Sequence, residues 1–241
     1  MVQIKEFRIV MPMSLEEYQV AQMYMVAKMQ QQNSNGDEGV DVLENRPFEH
    51  DVFGRGQYTF KVYRFQSKAP AWLKTFAPAD ALVMHEEAWN SYPRCKTVIK
   101  CPYFTKFSLT IETVHKADNG RSDNVHNLSE EQLAARQVEV LDIASTARDY
   151  WSYAIASNNV DFSKFKSKRT GRGPLSEGWQ GERALFLESH RNCFGWIDEW
   201  FGVTMQQIRE IEQQSGSSLN ERLGKPTSMT TKEGFESRCF L

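Results

Sequence analysis

Residues 57–66, entered through the turn signal Gly54-Arg55-Gly56, form the clearest strand pattern in this chain, and both of its faces carry aromatic residues. Alternation places Tyr58, Phe60 and Val62 on one face and Thr59, Lys61, Tyr63 and Phe65 on the other. Two readings of the second face are open. Thr59 and Lys61 can face water. Alternatively they line a cavity with an anionic guest, because a lysine beside Tyr63 and Phe65 on a buried face needs a charge partner.

The rest of the chain supplies more strands and flanking helices. Residues 2–10 alternate as a strand, and Ser14-Leu15-Glu16-Glu17 is a capping box for a helix reaching about Met29, with Leu15, Tyr18, Ala21, Met25 and Met29 near one face. Residues 30–37 read as a loop and 40–43 as a short strand. Further strands are expected at 95–101 and 106–115, where Phe107, Leu109, Ile111 and Thr113 share a face, and at 138–143, after a short helix beginning near Ser129. Residues 182–201 carry the helical stripe Phe186, His190, Cys193, Ile197 and Phe201. Gly202-Val203-Thr204 breaks that helix, and Thr204 caps another. The polar stretch 215–241 reads as a disordered tail, leaving 1–214 as the folded domain. Antiparallel runs with helices at either end make an α+β fold.

Composition excludes some functions. A formal net charge of −2 over 241 residues argues against a dedicated nucleic-acid binder. Cys95, Cys101, Cys193 and Cys239 have no CxxC spacing and no clustered histidines, so no metal site is expected and the thiols read as reduced. The first residues lack the apolar core of a signal peptide, and no segment approaches the ~20 apolar residues that span a bilayer, so a cytoplasmic protein is expected.

Catalytic motifs fail on inspection. Gly171-Arg172-Gly173 has Ser176 where a dinucleotide fingerprint needs glycine, and Gly224-Lys225 lacks the upstream glycine of a phosphate-binding loop. There is no nucleophile elbow, and the histidines at 50, 85, 115, 126 and 190 are scattered. His190, on an apolar stripe, reads as a hydrogen-bonded packing residue. Adjacent Glu86 and Glu87 would face opposite sides of a strand and are no catalytic pair. No enzyme is indicated.

A series of segments in order carries a resemblance. Glu17-Tyr18-Gln19-Val20-Ala21-Gln22, Gly56-Gln57-Tyr58-Thr59-Phe60-Lys61-Val62-Tyr63, Ala88-Trp89-Asn90-Ser91-Tyr92-Pro93, Ile111-Glu112-Thr113, the basic run 164–175 and Trp196-Ile197-Asp198-Glu199-Trp200 together resemble the phosphatidylinositol transfer proteins. The resemblance implies a START-like helix-grip fold, a curved, mostly antiparallel sheet with helices enclosing one phospholipid. It implies that Thr59, Lys61, Asn90 and Glu212 bind the inositol ring, that Gln22, Thr97 and Thr113 surround the phosphate, and that Cys95 lies beside the lipid. Ser167, flanked by Lys166 and Lys168 in a surface loop, resembles a family phosphorylation site, although a plain solvated loop fits equally. The implied partners are phosphatidylinositol, with phosphatidylcholine or phosphatidic acid as second ligand, and a transiently touched membrane surface. The implied protein is a monomer without cofactor or nucleic acid, cytoplasmic and peripheral to membranes.

One departure from the family pattern divides the functional expectation. Trp179-Gln180 runs directly into Gly181-Glu182-Arg183, where the family continues through a strand, a phosphate-contacting lysine and a surface aromatic pair. One reading is a working lipid carrier or presenter whose sheet closes without that strand. The other is a truncated splice form or degenerate paralogue, impaired in transfer and acting as an interaction or regulatory protein.

Overall fold

The computed structural model describes residues 3–32, 39–51, 53–64, 83–141, 143–144, 160–175 and 185–222. The strands are β1 (Lys5–Ile9), β2 (Gly39–His50), β3 (Gly54–Arg64), β4 (Val83–Ser91), β5 (Arg94–Lys100), β6 (Ser108–Val114) and β7 (Gln137–Leu141). The helices are α1 (Leu15–Gln32), α2 (Glu130–Ala135), α3 (Leu185–Gly195), α4 (Ile197–Trp200) and α5 (Met205–Arg222). Strands β2 to β6 form a five-stranded antiparallel sheet in sequence order, while β1 and β7 pair in parallel as a separate two-stranded sheet. Among the described residues, no helix is long and apolar enough to cross a membrane.

Local chemistry sets the expected helix starts, whereas β4 was not expected and the single helix expected over 182–201 divides at Trp196 into α3 and α4. In the α1 capping box, the Ser14 N–H donates to Glu17 Oε2 at 2.8 Å and the Glu17 N–H donates to Ser14 Oγ at 3.3 Å. Ser129 with Gln132, and Thr204 with Gln207, repeat the device at α2 and α5. Strand β2 runs well past the expected 43. A bulge between Val42 and Glu44 interrupts its alternation, and Pro47 is tolerated because β2 is the sheet's edge strand.

The principal core gathers Tyr18, Ala21 and Met25 of α1 with Leu141, Ile143, Phe162, Cys193, Phe194, Trp196, Ile197 and Trp200. Helix α1 packs against α3, α4 and α5, and α5 also packs on β2. The domain boundary expected at 214 is corrected, because α5 continues to Arg222 with Ser215 and Leu219 buried. Its polar residues are used in packing. Gln31 Nε2 donates to Ser215 Oγ at 2.5 Å, and the Asn220 amide exchanges hydrogen bonds with the Val42 backbone at 3.2 and 3.0 Å. Gly216 faces the Val42 side chain in the same contact. The remainder of the expected tail, 223–241, lies outside the described residues, as do Phe65 and the junction at Trp179.

Candidate functional site

Strand register brings six of the eight implied lipid contacts onto one face of the large sheet. Three cross-strand rows lie side by side: Gln57, Asn90, Cys95 and Thr113; Thr59, Ala88, Thr97 and Ile111; Lys61, Glu86, Ile99 and Leu109. The period of two keeps every second residue on this face. Ala88, the smallest of them, separates Thr59 from Thr97 at the centre. Gly56 permits the tight β3–β4 approach, since a Cβ there would collide with the Asn90 carbonyl and the Phe48 ring.

Polar groups on this face are partly paired. Lys61 is 8% exposed and its Nζ lies 3.3 Å from Glu86 Oε1, so it does not face water. The Tyr63 hydroxyl donates to Glu86 Oε2 at 2.9 Å, Gln57 Nε2 donates to Asn45 Oδ1 at 2.6 Å, and Cys95 Sγ donates to Asn90 Oδ1 at 3.2 Å. By contrast, the hydroxyls of Thr59, Thr97 and Thr113 have no hydrogen-bond partner among the described residues. Burial pushes the Cys95 thiol up to about 11, which keeps it protonated and unreactive.

Helices α5 and α1 bring the remaining two. Glu212 bonds Arg209 at 2.9 Å; burial raises its pKa, while Arg209 and the Lys61 ammonium oppose the rise, which places Glu212 within electrostatic reach of the sheet lysine. Gln22 on α1 has a buried Oε1 without a partner. It sits one turn beyond Tyr18, whose pKa is raised by burial and by neighbours that include Cys95. Glu86 was not legible as a site residue, because the long 65–82 connection hides which β4 residue lies opposite Lys61.

Tyr18 also belongs to an aromatic cluster. Tyr18 Oη and His190 Nε2 are hydrogen-bonded at 2.8 Å, in keeping with a packing role for His190. His115 stacks on Tyr92 at 5.0 Å and tilts against Tyr18 at 4.9 Å, with a buried Nε2 that lacks a partner. Burial, and then the proximity of His190, push its pKa down to about 4. Neutral His115 therefore contributes stability that is complete above the unfolded pKa near 6.5 and is lost as pH falls towards 4, up to about 2–3 kcal/mol. Replacing His115 with phenylalanine should flatten urea-derived stability across that window; an unchanged slope would show that other groups govern it.

The basic run lies at the surface, with Lys164, Lys166, Lys168 and Arg169 exposed, but Ser167 within it is turned inward. Ser167 is 2% exposed, and its hydroxyl donates to Asp198 Oδ1 at 2.5 Å. The Lys168 and Arg169 N–H groups each donate to the same carboxylate at 2.9 Å. Burial works against ionisation of Asp198, but donation from Ser167, Arg169 and Lys168 outweighs it and holds the pKa below the usual range. Arg172 forks onto both Glu17 oxygens at 2.8 and 2.9 Å, tying the run to the start of α1. Gly173 has φ +92°, and a Cβ there would strike the Phe165 carbonyl. The run is a strut between α1 and α4. Asp198→Ala removes three charge-assisted bonds and takes the acceptor from the buried Ser167 hydroxyl, so a loss of about 3 kcal/mol by urea denaturation is expected. A loss under about 1 kcal/mol would mean that water replaces the carboxylate.

Together these features define an α+β domain whose sheet face carries the Lys61–Glu86 ion pair and threonine hydroxyls that lack a partner among the described residues, with α5 packed on the edge strand β2. The family model for phosphatidylinositol transfer protein matches residues 2–183 and 180–217. Phosphatidylinositol transfer protein 1 of Dictyostelium discoideum is 38% identical over 258 residues, covering 91% of this chain and 95% of that protein. Phosphatidylinositol transfer protein 2 of the same organism is 36% identical over 256 residues, covering 91% and 96%. Protein retinal degeneration B of Drosophila melanogaster is 36% identical over 269 residues, covering 92% of this chain and 21% of its own length. The chain belongs to the phosphatidylinositol transfer protein family.

Proposed function

We propose that this chain holds one phospholipid against the sheet face and carries it between membranes, or presents it to lipid-modifying enzymes. The cargo is phosphatidylinositol, with phosphatidylcholine or phosphatidic acid as a second ligand, and the protein works as a monomeric, cytoplasmic, peripheral carrier. The observation that carries the reading is the set of three threonine hydroxyls without partners among the described residues, together with the orphan Gln22 oxygen, on and beside a face whose lysine is already balanced by Glu86.

The chemistry divides by charge. Glu86 pairs with Lys61 and Glu212 lies within electrostatic reach of the same ammonium, so this corner is rich in acceptors and suits inositol hydroxyls, which both donate and accept. Thr59, Lys61, Asn90 and Glu212 take the ring in this reading. Thr97, Thr113 and the Gln22 amide serve the phosphate, with Cys95 against the lipid. Sheltering the acyl chains is what a carrier contributes. At ~0.8 kcal/mol per methylene, roughly thirty methylenes oppose departure from a bilayer by something like 20 kcal/mol. A phosphate on Ser167 would stand against the Asp198 carboxylate, so modification there would release the strut.

A second reading, a shortened form with impaired transfer that acts as an interaction or regulatory protein, is favoured by one finding. The alignment with the first Dictyostelium relative runs over 258 positions although only 91% of 241 residues take part, and the family match falls in two blocks meeting at 180–183. That relative therefore has residues this chain lacks. The test is to extract and identify lipid co-purifying with the chain and to measure movement of radiolabelled phosphatidylinositol between vesicles. One lipid per chain, with transfer abolished by Asn90→Ala, supports the carrier. Bound lipid without transfer leaves presentation and refutes carriage, and an empty chain refutes both lipid roles and supports the second reading.

A further inference from the structure

We propose that the β5–β6 turn, residues 101–107, is the element that docks this chain on an anionic bilayer. The proposal rests on the carrier reading only in that a carrier must meet a membrane. Residues 102–108 are consecutively exposed, and three of them are aromatic: Tyr103 at 52%, Phe104 at 47% and Phe107 at 42%. Leu109, the next residue but one, is 44% exposed on the site face of β6. A tight turn, with the Phe107 N–H donating to the Phe104 carbonyl at 2.8 Å, projects the rings, and Tyr103 meets Phe104 edge-on at 5.0 Å. Apolar surface gathered at a hairpin tip, away from the core, has no folding role and marks a contact surface.

Charge identifies the partner. Between Glu87 and Glu112 the sequence has no acidic residue but four basic ones, Arg94, Lys96, Lys100 and Lys106. Lys96 pairs with Glu112 at 3.1 Å; Lys100 and Lys106, which flank the aromatic tip, are exposed and make no ion pair among the described residues. Rings that settle at the headgroup level between unpaired ammonium groups match an anionic lipid surface. The turn also lies at the end of the sheet where β3 finishes at Arg64 and β4 starts at Val83.

The test is co-sedimentation of the full chain with phosphatidylcholine vesicles containing about one-fifth phosphatidylserine, compared with phosphatidylcholine alone. Binding should favour the anionic vesicles, fall about tenfold in a Tyr103→Ser, Phe104→Ser, Phe107→Ser variant, and lose its anionic preference in Lys100→Glu, Lys106→Glu. Hydrogen exchange of the unaltered chain should slow across 101–107 on the anionic vesicles. Equal binding to both vesicles, full binding by the triple serine variant, or unchanged exchange across 101–107 overturns the proposal. Extracted lipid per chain separates the two ideas. A lipid-loaded serine variant that still binds vesicles defeats this inference alone. An empty chain whose vesicle binding depends on the turn defeats only the carrier reading.

Discussion

Replacing Lys61 with methionine should destabilise the fold by about 3 kcal/mol, because Glu86 then remains buried as an uncompensated carboxylate. The side chains are only 10% and 14% exposed, so water cannot take over the ammonium's role cheaply. Methionine keeps the aliphatic stem in place, which isolates the charge. Adding Glu86→Gln should recover most of the loss, since a neutral amide beside the Tyr63 hydroxyl needs no cation. Urea unfolding of the two single variants and the double variant closes the cycle. Additivity within about 0.5 kcal/mol would mean the pair is uncoupled, and the acceptor-rich corner assigned to the inositol ring would lose its basis.

Trp200→Ala should cost about 4 kcal/mol. The indole is 1% exposed in the principal core, and its Nε1 donates to the Cys193 carbonyl at 2.6 Å, bracing α4 against the end of α3. Truncation leaves a cavity and a carbonyl without its donor. Phenylalanine at the same position keeps much of the volume but not the donor, so about 2 kcal/mol is expected. Because Asp198 lies on the same short helix, the alanine variant should also loosen the 167–170 strut, visible as faster hydrogen exchange there. Exchange that stays slow would show that the strut is held independently of the core.

Much of the fold was legible because its signals are local. The capping boxes at Ser14, Ser129 and Thr204 each depend on residues three apart, and each is present. Alternation over 57–64 likewise placed Thr59, Lys61 and Tyr63 together. The far end of β2 was missed because a bulge and Pro47 break the period that reveals a strand. The last turns of α5 were missed because Ser215 and Asn220 look solvated until Gln31 and Val42 are seen to bond them. Ser167 was misplaced for a similar reason: nothing near it in the chain announces Asp198.

The sequence by itself determined which side chains share a strand face, where the helices begin, and, through resemblance, the family. Those properties follow from periods of two and 3.6 and from caps, which need no knowledge of the chain's far parts. Only the tertiary structure decided which partner each polar group has. Register set Glu86 opposite Lys61, and helix packing brought Glu212 within reach of the same ammonium. Whether a buried charge is satisfied depends on distances across segments whose separation along the chain says nothing about their meeting in space.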